Sequence, residues 1–135
     1  MNKPFSLSKN ERIKSKKTIE TLFQQGEAFF SYPYRLVYKV TPSINRKGLY
    51  MVISVPKRFF KRAHDRNRIK RLARETYRIE KIALQSKVID HQWELNLMFI
   101  YQGREILEYS AMQKHMHQSL LHLQQRVFPT PPEQD

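Results

Sequence analysis

The 135-residue chain has no cysteine, only three glycines, a single tryptophan, and twelve acidic residues against twenty-five Lys and Arg. Each scarcity removes a class of function. Without cysteine there are no disulfides and no thiolate zinc site, which suits a reducing, cytoplasmic setting. Three glycines leave nothing from which to build a glycine-rich phosphate loop. The longest clearly apolar run, Leu97 to Tyr101, is far too short to span a bilayer. The opening MNKPFSLSKNERIKSKK has no apolar stretch of the kind a secretory signal needs. The few acids are scattered, with no pair placed as an acid–base couple. Ser and Thr have no nucleophile-elbow context. His115, His117 and His122 lie in one helical segment, but i and i+2 are on different faces, and His64 with Asp65 has no evident third ligand, so no protein-held metal is expected.

What the chain does have is positive charge, and it is concentrated. The net charge is +13, and Lys57 to Arg74, KRFFKRAHDRNRIKRLAR, carries +8 of it, with nine Lys or Arg and one acid, Asp65. A segment this cationic either stays unfolded or sits against a polyanion. Its continuation argues that it folds. Ile69, Leu72, Ala73, Thr76, Tyr77 and Ala83 recur at helical spacing and form an apolar face. Lys70, Arg74, Arg78 and Lys81 stack along a second face, with Asn67 and Arg71 beside them. Asp65 fits the N-cap or first turn. A merely solvated helix normally mixes signs for i, i+4 support; here compensating acid is nearly absent. With no catalytic constellation, the residue chemistry alone indicates an RNA-binding protein.

The rest reads as one domain, residues 1–128, with residues 1–14 a mobile basic arm and residues 129–135, PTPPEQD, a disordered tail. Ser15 caps a helix from Lys16 to Gln25, with Gly26 at its C′ position. A short strand is expected near Ala28 to Ser31. Tyr34 to Val40 alternates as a strand, with Leu36, Tyr38 and Val40 on one side. Leu49 to Val55 is a further strand, expected to run antiparallel to it, and Pro56 ends its ladder. The basic helix runs to Leu84 or Gln85, and residues 86–92 read as a connector. Trp93 to Tyr101 is apolar on both faces in its far half, hence central. Ser110 and Gln113 form a capping box for a last helix striped by Met112, Met116, Leu120, Leu123 and Val127. The fold class is α+β: one sheet of three to four strands packed with helices in the order α-β-β-β-α-β-α, ribosomal-protein-S5-domain-2-like.

The run KRAHDRNRIKRLARETYR resembles the RNR signature of the bacterial ribonuclease P protein component, with its core at Arg66 to Leu72. The resemblance implies an accessory subunit of a catalytic RNA that removes the 5′ leader from precursor tRNA. It implies that the RNA holds Mg²⁺ and that this chain supplies no catalytic residue. It implies a left-handed crossover through the basic helix, against the usual hand. Two surfaces follow from it. Lys57, Arg58, Arg62, Arg66, Asn67, Arg68, Lys70, Arg71 and Arg74 match positions that face the catalytic RNA. Ile19, Phe23 and Tyr38 match positions that hold the single-stranded leader, where unpaired bases stack on aromatic rings. Core packing is the competing account of Phe23. The chain departs from the family pattern at Ile19, where an aromatic is common, at Val52, where Gly is common, and at Pro56 and Arg58. A ribosomal RNA-binding protein or ribosome assembly factor would share the charge and the fold class. DNA binding would need a recognition helix with a helix-turn-helix partner. Membrane binding would need the apolar helix face that the core requires.

Overall fold

The computed structural model describes residues 7–129. A 3-10 turn at Lys9–Glu11 leads into α1 (Lys16–Gln25), β1 (Glu27–Ser31), β2 (Tyr34–Pro42) and β3 (Gly48–Ser54). Then come α2 (Ala63–Glu80), α3 (Ile82–Asp90), β4 (Trp93–Tyr101) and α4 (Tyr109–Val127). The class is α+β, with one mixed sheet in the order β1-β2-β4-β3. Residues 1–6 and 130–135, most of the expected tail and part of the expected arm, lie outside the described residues.

Local chemistry accounts for most of the elements. The Ser15 Oγ accepts from the Thr18 N–H at 3.3 Å and starts α1. Gly26 ends it by close approach rather than by a left-handed turn. Its φ is −76°, and a Cβ there would stand 2.4 Å from the Leu22 carbonyl oxygen. The β4 strand pairs antiparallel with β2 and parallel with β3, and its residues Leu95, Leu97, Met98, Phe99 and Tyr101 are all buried.

Three expectations are corrected here. The strand from Leu49 does not pair with β2; it lies beyond β4 and runs parallel to it, with Met51 opposite Leu97. Residues 82–90 are not the end of α2 followed by a connector but a separate helix, because the chain bends at Lys81 and resumes helical pairing from there. Helix α4 begins at Tyr109 behind Glu108, so Ser110 is inside it and does not cap it.

The sheet has two unequal faces. Leu36 and Tyr38 of β2, Leu49, Met51 and Ile53 of β3, and Leu95, Leu97, Phe99 and Tyr101 of β4 form the main core. Ile69, Ala73 and Tyr77 of α2, Leu84 and Val88 of α3, and Met112, Met116, Leu120 and Leu123 of α4 cover it. The other face carries a small cluster in which Val37 and Met98 meet Leu22 of α1 and Ile13, with Ile19, Tyr50, Val52 and Ile100 packed around it. Residues 8–13 are part of the fold rather than a loose arm. The Ile13 N–H donates to the Met51 carbonyl at 2.8 Å. Glu11 accepts from the Lys81 ammonium and, at 3.2 Å, from Gln85 Nε2.

Candidate nucleic-acid interface

Helix α2 is divided lengthwise. Ile69, Ala73, Thr76 and Tyr77 are fully buried, and the Tyr77 ring meets Phe99 edge-on at 5.8 Å. That half fixes the helix against the sheet. On the opposite half Asn67, Arg68 and Arg71 are exposed, and Lys70 and Arg74 are partly so. Asp65 lies in the first turn, where it favours the helix dipole; the N-cap is Arg62, which makes no side-chain cap. Arg71 pairs with Glu75 at 3.2 Å along the same face. Lys81, expected on the outward basic row, is instead 1% exposed and points inward to Glu11.

The loop before α2 is ordered by its two aromatics. Phe60 is buried and packs against Tyr101 at 5.9 Å. The Phe59 ring is flanked by Arg58 at 4.6 Å and by Arg104 at 4.1 Å. Lys57, Arg58, Lys61 and Arg62 are exposed around it. Arg66 behaves differently from its neighbours. Its guanidinium donates to the carbonyls of Phe60 at 2.7 Å and Lys61 at 2.8 Å, so it ties the loop to the helix. The fold therefore joins Lys57, Arg58, Arg62, Asn67, Arg68, Lys70, Arg71 and Arg74 into one cationic surface, with Arg66 as its fastener. It adds two arginines that sequence reasoning passed over. Arg104 arrives from the segment after β4, and Arg12 from the N-terminal segment stands close enough to Arg74 to disfavour its charge. Each is isolated in sequence, so no local pattern marks it.

The second trio does not assemble. Ile19 packs in the small cluster under α1, and Phe23 is 57% exposed on the same helix. Tyr38 is 5% exposed and lies on the opposite face of the sheet. There it meets Phe29 at 6.0 Å, donates its hydroxyl to Glu27 Oε2 at 2.6 Å, and accepts from Arg126 Nε at 3.3 Å. Burial and the bond to Glu27 raise the Tyr38 pKa. The residue of β2 that faces α1 is Val37. By strand alternation Arg35 shares that side, and so does Phe30, which pairs with it and is exposed. The competing account of Phe23, core packing, is ruled out by its exposure.

Among the described residues no three His, Asp or Glu side chains are grouped so as to hold a metal ion. None of the described helices is long and apolar enough to cross a membrane.

The family model for ribonuclease P matches residues 7–124, which include the whole divided helix and both faces of the sheet. The chain belongs to the ribonuclease P protein family. Similar relatives include the ribonuclease P protein component of Porphyromonas gingivalis, 35% identical over 119 residues, covering 88% of this chain and 87% of that one. That of Chlorobaculum tepidum is 32% identical over 130 residues, covering 86% and 83%. The fold is that of the ribonuclease P protein of Staphylococcus aureus, with a TM-score of 0.60 at 18% identity over 84% of this chain and 94% of that one. The protein of Thermotoga maritima gives 0.58 at 19% identity, over 86% and 96%. Membership places the chain in tRNA processing, as a protein component of an endoribonuclease holoenzyme.

Proposed function

We propose that this protein binds the catalytic RNA of ribonuclease P through the outward half of α2 and the loop before it. In the same assembly it holds the 5′ leader of precursor tRNA on the α1 side of the sheet, in the cytoplasm. One observation carries the reading: α2 sinks one half into the core and turns a strongly cationic half to solvent. Arg68, Arg71 and Arg74 suit bidentate contact with phosphates, while Lys57 and Lys70 add point charges. Arg58, Arg62 and Asn67 extend the surface, and Arg66 keeps the loop in register with the helix. Ile19 and Phe23 offer the leader an apolar wall and an exposed ring. Tyr38 supports the strand from the far side of the sheet.

Mg²⁺ belongs to the RNA in this reading. The protein's part is to bind and orient. Precursor tRNA, Mg²⁺ and the RNA subunit are to be combined with and without the protein at low Mg²⁺, beside RNA-free protein alone. The protein should accelerate leader removal by the RNA and remove none by itself. Site-specific cleavage by RNA-free protein, or no effect on the RNA-driven reaction, would defeat the proposal.

A further inference from the structure

The N-terminal segment does more than cover the sheet, because it delivers a guanidinium to the flank of α2. Arg12 is pinned on both sides. Before it, Glu11 is held by Lys81, by Gln85 and by the Ser8 N–H, which donates to Glu11 Oε2 at 2.8 Å. After it, the Ile13 N–H is bonded to Met51, and Arg12 itself bridges to Met51. The backbone at Arg12 therefore cannot swing away from α2.

Between the two elements lies a crevice of about 290 Å³ lined by Leu7, Arg12, Arg71, Arg74, Glu75 and Arg78. Four arginines and one glutamate line it, and the Glu75 carboxylate is engaged by Arg71 at 3.2 Å. Among the described residues neither Arg12 nor Arg74 makes an ion pair. Burial and the neighbouring Arg12 both work against the Arg74 charge. Like charges fixed side by side are unfavourable, and a bound anion reverses the sign of the interaction. The guanidinium fork matches the non-bridging oxygens of a phosphate.

We infer that this crevice is a phosphate site in which Arg12 and Arg74 together grip one backbone phosphodiester of the RNA that lies along α2. The inference rests on the RNA-binding reading of α2 and adds to it a contact from outside the helix. It also gives the half-buried Glu11 a positioning role, since that side chain anchors the turn from which Arg12 reaches out.

The test uses the full-length protein and the transcribed RNA subunit of ribonuclease P, with dissociation constants measured across a salt series. Arg12→Ala should weaken binding and lower the log–log salt slope by about 0.7 to 0.9, the share of one phosphate. Arg12→Lys should keep the slope and lose part of the affinity. A thermal melt beside each should match the wild type, because the Arg12 side chain projects into the crevice rather than the core. If Arg68→Ala lowers affinity and slope while Arg12→Ala changes neither, this inference falls and the α2 reading stands. If neither variant changes binding, the α2 reading itself fails. A second arm titrates inorganic phosphate and follows the guanidinium N–H resonances. Shifts that disappear in Arg12→Ala support the site. Phosphate binding with an unchanged RNA slope would assign the crevice to free phosphate and overturn the RNA contact.

Discussion

Removing the carboxylate of Glu11 should cost far more than its place in a short N-terminal turn suggests. The Lys81 side chain is 1% exposed and that of Glu11 14%, so the ammonium is out of water and the carboxylate mostly so. Burial alone pushes the Glu11 carboxyl up. The Lys81 hydrogen bond and charge and the Ser8 N–H outweigh it, and the carboxyl lies below its ordinary value of 4.5. Glu11→Gln removes the carboxylate charge that faces the buried ammonium, and breaking such a pair costs about 3–5 kcal/mol. For a domain of this size that corresponds to a drop on the order of 10–20 °C in Tm. Urea unfolding followed by far-UV circular dichroism, with thermal melts beside it, measures the loss. Lys81→Met should also destabilise. The double variant should recover much of the loss, because no buried charge remains.

The pH dependence has a definite sign. The folded carboxyl titrates below the unfolded one, so between the two values the unfolded chain binds more protons. The contribution is fully present above about pH 4.5 and is lost as pH falls through the lowered folded value. Glu11→Gln should flatten that part of the acid limb. A loss below about 1 kcal/mol, the range of exposed pairs, would refute the argument that burial governs this pair.

Other substitutions separate the surfaces. Arg68→Ala should leave the melt unchanged and lower the salt slope of RNA binding by about 0.7 to 0.9, as read by filter binding. Phe23→Ala should leave stability within about 0.5 kcal/mol because the ring is exposed. On the reconstituted holoenzyme it should weaken precursor tRNA by roughly 5- to 150-fold, the worth of one stacked base, and spare mature tRNA. Tyr38→Ala should behave oppositely, lowering Tm and harming both ligands alike, since it opens the core and strands Glu27 and Arg126. Gly26→Ala should destabilise by about 1–3 kcal/mol in urea titrations, because the new Cβ meets the backbone oxygens of Leu22 and Tyr38 and the Val37 side chain.

Features written in local patterns were legible in the sequence. Ser15 and the spacing of Ile19, Leu22 and Phe23 mark α1, and the doubly apolar second half of Trp93–Tyr101 marks a central strand. The basic half of α2 was equally legible, because charge density needs no tertiary information. What could not be read depends on distant partners. Alternation in Leu49–Val55 says which residues turn inward but not which strand lies alongside, so its parallel pairing with β4 was missed. Lys81 looked like one more surface cation because the acid that neutralises it lies 70 residues away. The break between α2 and α3 carries no Gly or Pro, only a bend at Lys81, whose ψ is −18°. Tyr38 and Val37 are adjacent in sequence, and only the position of α1 decides which of them faces that helix.

The contact between Ile13 and Met51 also covers part of a sheet edge. Strand β3 is outermost in the sheet, and its Leu49, Met51, Val52 and Ile53 form a short apolar, β-prone stretch. Such a border, with free N–H and C=O groups, is a template for another chain. The N-terminal segment occupies part of that border through the Arg12–Met51 bridge and the Ile13 hydrogen bond, and Ile13 tucks under the sheet. Opposite, β1 has only five residues, which limits its value as a template. The segment thus covers part of an open strand as well as carrying charge. A chain trimmed of these residues would present that strand uncovered to any neighbouring copy.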